Sequence, residues 1–297
     1  MNHIKLNPEC VRCLLNKHIL TFPKGTSRET QLACMQQSLR ILADAPLSAS
    51  APEVLADVTA LRRSMGVMDT DLAAVKRRFN TLMLTLAPDI ARRIDASPDP
   101  LRAAVGFAMT GNYIDFGAMD SVDENKLHQL LAGADSLPFD EAAFTSLRGE
   151  LASAGKMVYI TDNCGEIVLD KLLAGLIRRL YPSLDVTFLV RGEPVMNDAT
   201  LEDAAQVGLS DTAWVISNGS GAAGTVLARI SEEARALLES ADLILAKGQG
   251  NFETLYYCEL NVYYLFMCKC PMFADRFGVP RFSGMLLREA EIGRWLG

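Results

Sequence analysis

The stretch Met157-Val158-Tyr159-Ile160-Thr161-Asp162-Asn163-Cys164-Gly165-Glu166 decides the predicted fold. An apolar, β-branched and aromatic run leads into polar residues and a glycine, and residues 165–180 then carry leucine and valine at helical spacing. This pattern predicts a buried strand followed by a crossover helix. Similar apolar runs at 186–190, 213–216 and 243–246 are also followed by polar and glycine-rich segments. The sequence therefore predicts an open α/β fold with a mostly parallel sheet and flanking helices.

The first half of the chain has a different pattern. Up to about residue 150 no segment resembles a strand, and 140–155 is predicted as a helix that leads into the first strand. Pro52, Pro88 and Pro100 fit first-turn or post-helix positions. Apolar residues recur at three- and four-residue spacing over 32–43, 52–65, 72–86, 100–109 and 123–131. We predict an all-helical domain over 1–150 and an α/β domain over 151–297.

Composition excludes several classes of protein. The 297 residues are 49% hydrophobic and 22% charged, and the net charge of −7 argues against a surface that binds nucleic acid. No apolar segment is long enough to span a membrane, and the start lacks a signal-peptide core. The odd number of cysteines, seven, shows no disulfide framework, so we expect a cytoplasmic protein. The sequence does not indicate an oligomeric state.

Two acidic pairs follow neighbouring predicted strands. Asp162-Asn163 comes after the first strand and Asn197-Asp198 after the second. Adjacent parallel strands lie about 5 Å apart, so Asp162 and Asp198 are close enough to share one ion. Hard divalent cations prefer such oxygen ligands. The alternative interpretation is that Asp162 or Asn163 only caps the following helix.

Cations and glycines follow two strands as well. Arg191 and Lys247 each end a strand and precede a glycine, which permits close backbone approach to a ligand, as at Gly248. Both cations are candidates for phosphate binding, and the alternative is two surface cations. Glu166, in the first helical turn, either points at the site or favours the helix dipole.

The segment 218–225 contains a literal G-x-G-x-x-G motif after the third strand. A dinucleotide fingerprint belongs after the first strand instead, so we interpret Asn218 and the glycines as a turn that shapes an anion or substrate site. No nucleotide cofactor is expected. Cys10-x-x-Cys13 is either half of a zinc site or part of a core stripe. With three histidines in all, none near Cys164, a Ser-His-Asp or Cys-His enzyme is not predicted.

Taken together, the motifs resemble the damage-control phosphatase family, also called the acidic-residue methyltransferase-like metal-binding domain and first catalogued as a domain of unknown function. The chain is most similar to its mainly prokaryotic branch, which begins with a Cys-x-x-Cys segment. The segment 68–71 departs from the family pattern because it lacks Asp-Pro-Tyr. The segments that carry the resemblance are 8–13, 71–80, 111–117, 162–166, 191–200 and 247–253.

The resemblance implies a helical domain joined to a Rossmann-like domain. It also implies a phosphohydrolase that needs one divalent cation (Mn, Co, Ni or Mg) and acts on small phosphorylated metabolites, such as sugar phosphates or damaged cofactor intermediates. The family's metal ligands fall on Asp162, Asn163 and Asp198, and its phosphate-binding lysine falls on Lys247. Asn112 and Asp115 fall on a segment expected to face the crevice from the helical domain.

We therefore predict a metal-dependent phosphatase that uses metal-activated water, with an aspartyl phosphate as the rival mechanism. The predicted catalytic residues are Asp162, Asp198 and Lys247. Two other classes remain as alternatives: an S-adenosylmethionine-dependent carboxyl methyltransferase, and a non-catalytic protein that binds a phosphorylated ligand. The predicted substrate-binding residues are Glu166, Arg191, Asn112, Asp115, Gly248 and Asn218.

Overall fold

The computed structural model describes residues 5–67, 72–115 and 122–296. The segment 68–71, where the sequence departs from the family pattern, and residues 116–117 of the Gly-Asn-x-x-Asp region lie outside the described residues. No helix in the described ranges has the length and apolar character needed to cross a membrane.

The first half of the chain is helical, and no strand precedes Lys156 in the described residues. Side chains of Ser27, Ser50, Asp99, Asp123 and Asp140 accept hydrogen bonds from the first turns of their helices, which explains where these helices begin. The helices are α1 (Pro8–Leu14, continued by a π-helical turn Leu15–Ile19), α2 (Arg28–Asp44), α3 (Ala51–Ser64), α4 (Ala73–Ala96), α5 (Pro100–Gly111), α6 (Glu124–Ala132) and α7 (Glu141–Ser153).

Pro88 corrects one prediction. We expected it in a first turn or after a helix, but it lies inside α4. Beyond it, Ile90 and Ile94 continue the helical apolar pattern and are buried in the core. Their burial offsets the hydrogen bond that a mid-helix proline removes.

The second half forms one six-stranded sheet in the order β3-β2-β1-β4-β5-β6. Strands β1 to β5 are parallel and β6 is antiparallel to β5. The strands are β1 (Lys156–Ile160), β2 (Asp185–Val190), β3 (Trp214–Ser217), β4 (Leu243–Lys247), β5 (Val262–Met267) and β6 (Gly284–Arg288). The helices are α8 (Glu166–Leu180), α9 (Leu201–Gln206), α10 (Glu232–Glu239), α11 (Gln249–Leu255), α12 (Pro271–Phe277) and α13 (Ile292–Leu296).

The predicted α/β class is confirmed, and each of the four predicted strands matches β1 to β4 to within one residue at either end. One detail is wrong. We predicted a buried third strand, but β3 is the sheet edge, and Trp214 is 74% exposed. From β1 the chain adds β2 and β3 on one side of the sheet and then β4 and β5 on the other side. The carboxyl end of β1 is therefore a topological switch point, where ligands bind in open α/β sheets.

The hydrophobic core continues across residue 150. One buried cluster contains Phe79 and Phe107 of the helical half together with Tyr159, Phe188 and Tyr263 of the sheet. A second cluster, centred on Phe252, covers the other sheet face. The N-terminal helices thus provide one covering layer of the sheet. The domain boundary at residue 150 stays a prediction.

Candidate active site

The loops after β1 and β2 are joined by backbone hydrogen bonds. Asn163 and Asp198 form an isolated antiparallel bridge. The Ala199 N–H donates to the Asp162 carbonyl oxygen at 2.7 Å, and the Cys164 N–H donates to the Asn197 carbonyl oxygen at 2.8 Å. The structure therefore brings the three predicted metal ligands to one place on the carboxyl edge of the sheet.

The side chains of Asp162, Asn163 and Asp198 line a cavity of about 380 Å³. The two carboxylate residues are only 6% and 4% exposed, so the cavity offers them little water. Residues from both halves of the chain complete the lining, among them Cys10, Cys13, Leu55, Asp115, Glu253, Lys269 and Arg281. The cavity is thus closed by α1 and α3 over the strand ends.

The Asn163 amide has a defined orientation. Its Nδ2 donates to Asp162 Oδ2 at 2.6 Å and to Glu166 Oε2 at 3.0 Å, which uses both amide hydrogens. No donor among the described residues reaches its carbonyl oxygen Oδ1. The amide therefore has an acceptor oxygen free for a ligand.

Glu166 and Asn112 orient Asp162 and Asn163 from the side away from the cavity. Asn112 Nδ2 donates to Asp162 Oδ2 and to Glu166 Oε2, both at 3.0 Å, and Asn112 Oδ1 accepts from the Met267 N–H at 3.0 Å. Both residues are fully buried, and neither lines the cavity. Glu166 and Asn112 are therefore placed to orient Asp162 and Asn163. We had predicted that they contact the substrate instead.

Lys247 lies away from the cavity. Its Nζ donates to Glu166 Oε1 and Asp170 Oδ1, both at 2.6 Å, and to the Ala108 carbonyl oxygen at 2.9 Å. These bonds use all three ammonium hydrogens, and the side chain is fully buried. Burial alone would lower the pKa of Lys247, but Asp170 and Glu166 outweigh it and the pKa is raised. The structure does not place this lysine where a phosphate would bind.

Lys269 is a cation of the cavity lining that the sequence motifs did not indicate. It lines the cavity two residues after β5, forms an ion pair with Asp115, and donates to the Asn112 carbonyl oxygen at 2.6 Å. Two described partners leave one of its three N–H groups for a ligand. Its position just beyond a strand end was the available signal, but it directly follows the apolar run 262–268, which by itself indicates core and not a ligand site. Cys268 is buried, whereas Cys270 is half-buried and lines the cavity.

Arg191 links the two carboxylates. Its Nε donates to Asp198 Oδ2 at 2.7 Å, and its Nη2 lies 3.5 Å from Asp162 Oδ1. The guanidinium is buried and does not line the cavity, and its Nη2 has no hydrogen-bond partner in the described part of the chain. It positions both carboxylates from the sheet side.

Gly248 is required by the site, but for a different contact from the one predicted. At φ +82° a Cβ there would lie 2.0 Å from Asp162 Oδ2, so the close neighbour is a site carboxylate and not a ligand. Asn218 has a similar supporting place: its Oδ1 accepts from the N–H groups of Gly192 and Ser220, both at 2.9 Å. Asn218 thereby holds the glycine-rich turn, from which Ala223 reaches the cavity.

In the buried environment of the site, the ionised forms of Asp162 and Asp198 are unfavourable. Burial, together with Asp198 and Glu166, raises the pKa of Asp162 well above its ordinary value, against the opposing effect of Arg191 and Lys269. Burial also raises the pKa of Asp198 to about 6, although Arg191 lowers it. Two buried carboxylates that resist ionisation are stabilised by a bound cation.

The donor set fits a hard divalent cation, because two carboxylates and one amide oxygen are ligands such ions prefer. In the described residues no group of three or more His, Cys, Asp or Glu side chains is arranged to hold a metal ion. A cation here would therefore have the Asn163 amide as its third protein ligand. By the same finding, no further His, Cys, Asp or Glu among the described residues completes a zinc site with Cys10 and Cys13.

Cys164 is not suited to act as a nucleophile. It is fully buried, and burial raises its pKa to about 12. A thiol with this pKa is protonated at neutral pH.

Comparison with known proteins identifies the family. The model of the damage-control phosphatase ARMT1-like domain matches residues 6–284. The chain belongs to this family. A damage-control phosphatase of Archaeoglobus fulgidus is 34% identical over 286 residues, covering 93% of this chain and 96% of that protein.

Two further comparisons involve Pyrococcus horikoshii. A damage-control phosphatase from this organism is 36% identical over 191 residues, 63% of this chain and 64% of its own length. The crystal structure of a DUF89 family protein from the same organism superimposes with a TM-score of 0.77 at 29% identity, covering 97% of this chain and 100% of that one. The resemblance inferred from the motifs is confirmed at the level of the damage-control phosphatase family. The narrower assignment to the Cys-x-x-Cys branch stays a prediction.

Proposed function

We propose that this damage-control phosphatase family member hydrolyses small phosphomonoesters and depends on one divalent cation, with Mn, Co, Ni and Mg as candidates. The observation that carries the proposal is the bridge between the loops after β1 and β2, which directs Asp162, Asn163 and Asp198 into one cavity. Relatives that are named damage-control phosphatases and cover most of the chain support phosphatase activity.

The residues in and beside the cavity have separate roles in the proposed phosphoryl transfer. Asp162, Asn163 and Asp198 would hold the cation, which, when bound, supplies Lewis-acid activation of water and of the phosphoryl oxygen. Lys269, with one N–H left for a ligand, binds a phosphoryl oxygen and offsets its charge. Arg191 keeps the two carboxylates in place.

The cavity also fits a small anionic substrate. Its volume of about 380 Å³ lies at the low end for ligand pockets. Because the whole chain carries a net charge of −7, an anion must be attracted locally, and Lys17, Lys269 and Arg281 are the cations of the lining that can do this. A phosphorylated metabolite of sugar-phosphate size meets both conditions.

The surroundings favour phosphoryl transfer over methyl transfer. A methyltransferase would use a glycine loop after the first strand, a position taken here by Asp162 and Asn163. The glycine-rich turn after β3 packs against backbone instead, since a Cβ on Gly192 would lie 2.4 Å from the Ser220 nitrogen.

The test is phosphate release by the chelated protein, supplemented with single divalent ions, from p-nitrophenyl phosphate and a panel of sugar phosphates. We expect an added ion to restore turnover and Asp198→Ala to reduce it at least ~10³-fold, because the carboxylate that would hold the cation is lost. Asp275→Ala, at an exposed position on α12, is the matched control and should retain wild-type activity.

Circular dichroism of both variants separates loss of activity from loss of fold. Full activity in Asp198→Ala would refute the metal assignment. Tight binding of a phosphorylated ligand without turnover in any ion would favour the binding-protein hypothesis. Saturable binding of S-adenosylmethionine without metal would favour methyl transfer.

A further inference from the structure

Glu253 is a carboxyl group in the cavity that the proposed mechanism does not yet use. It lies on α11, one turn after Gln249, and both side chains line the cavity together with Asp162 and Asp198. Helix α11 begins directly after β4 and Gly248, so its first turns lie at the carboxyl edge of the sheet.

Gln249 gives the Glu253 carboxyl a defined orientation. Gln249 Oε1 accepts from the N–H groups of Lys269 and Cys270 at 3.3 and 3.2 Å. These two bonds fix the amide so that its NH₂ group faces Glu253. Gln249 Nε2 then donates to Glu253 Oε1 at 2.7 Å. No donor in the described part of the chain reaches Glu253 Oε2. The Glu253 carboxyl is held through one oxygen, and the other is left for a proton or a ligand.

The groups around Glu253 favour its neutral form. Burial is the main cause, the negative charge of Asp115 adds to it, and the Gln249 hydrogen bond opposes both, so the pKa of Glu253 is raised to about 7. Cys10 of α1, Cys270 after β5 and Tyr256 of α11 also interact with its charge, and none of them supplies positive charge. The cations of the same cavity lining are Lys17, Lys269 and Arg281. Lys269 is engaged by Asp115.

We propose that Glu253 is the proton donor to the leaving-group oxygen in the phosphatase reaction, an inference that rests on the proposed function. As the oxygen of the attacking water bonds to phosphorus, the bond from phosphorus to the ester oxygen breaks and its electron pair stays on that oxygen. The Glu253 proton passes to this oxygen and the product leaves as an alcohol. The proton released by the attacking water returns the carboxylate to its acid form through solvent.

The test compares two leaving groups in wild type and Glu253→Gln. The first substrate is an alkyl ester, namely the sugar phosphate that the enzyme hydrolyses best. Its leaving group is a strongly basic alkoxide, which needs a proton. The nitrophenolate of p-nitrophenyl phosphate leaves without one. We expect Glu253→Gln to lower kcat for the alkyl ester about 10²-fold or more and to leave kcat for p-nitrophenyl phosphate nearly unchanged.

The pH profile gives a second readout with a definite sign. The acid form is the active one, so wild-type kcat for the alkyl ester should fall as the pH rises through about 7, and this limb should be absent in Glu253→Gln. Glu239→Gln, exposed on α10, is the matched control. If Glu253→Gln does not fold, the wild-type profiles still test the inference, because only the alkyl ester should show the limb.

Equal losses for both esters, or no loss for either, would overturn the proton-donor role. Matching pH limbs for both esters in wild type would do the same. A wild type that hydrolyses neither ester with any ion would overturn the proposed function itself, and that result is distinct from any difference between the two esters.

Discussion

Lys247 is the last residue of β4 and Lys269 follows the neighbouring strand β5, yet they lie in different environments. Lys247 belongs to what we call the back cluster, Lys247 with Glu166, Asp170 and Tyr159, which is buried between α5, α8 and the sheet. Lys269 belongs to the front wall, Lys269 with Asp162, Asn163 and Asp198, which lines the cavity. A position at a strand end is therefore not enough to place a cation at a ligand site.

The alternation of side chains along a strand explains the difference. Leu243 and Leu245 of β4 belong to the core cluster on the α5 and α8 side, whereas Ile244 and Ala246 belong to the opposite cluster. Lys247 has the parity of the first two, so it points towards α8 and its carboxylates. Lys269 lies two residues beyond β5 and is free of this alternation. We therefore expect the back cluster to orient the proposed metal ligands and the front wall to contact the substrate.

The largest effect we expect comes from the back cluster. Lys247→Met leaves Glu166 and Asp170 buried without their cation, so the free energy of unfolding should fall by about 3–5 kcal/mol. Denaturant unfolding measures this change. Lys126→Met, at an exposed position on α6, is the control and should change it little. An unfolding free energy equal to that of wild type would show that the back cluster does not need its lysine.

The next effect tests the front wall. Lys269→Met should lower kcat/KM about 10²-fold and weaken inhibition by inorganic phosphate, because one donor to the phosphoryl group is removed. Its unfolding free energy should change less than that of Lys247→Met, since Asp115 remains partly exposed. If phosphate inhibition weakened in Lys247→Met and not in Lys269→Met, the role predicted for Lys247 from the sequence would be restored.

The smallest effect tests the link between the two regions. Glu166→Gln weakens the acceptor that orients the amides of Asn112 and Asn163, so affinity for the divalent cation should fall about 10–100-fold. Calorimetric titration of the ion into chelated protein without substrate measures this affinity. Glu232→Gln, exposed on α10, is the control. An unchanged affinity would mean that Asn163 keeps its orientation without Glu166.

Much of the carboxyl edge was predictable because it depends on local pattern. Strands β1 to β4 follow from short apolar runs, and parallel neighbours bring their ends together, so the meeting of Asp162 and Asp198 followed from strand adjacency. Strands β5 and β6 were not among the predicted strands. Their pairing joins segments whose relation no local pattern records. Pro88 shows the same limit within a helix, since distant packing partners decide whether α4 continues.

The sequence by itself determined the α/β class and the family and proposed three oxygen ligands for a divalent cation, because strand periodicity and oxygen-ligand chemistry are properties of short segments. Only the tertiary structure decided which lysine reaches the cavity, that Glu166, Asn112 and Gly248 support Asp162 rather than face the cavity, and that Gln249 orients Glu253 there. These features depend on the direction of side chains and on contacts between segments as distant as Asn112, which caps α5, and Met267 of β5. Such contacts are set when the helices of the first half close over the sheet.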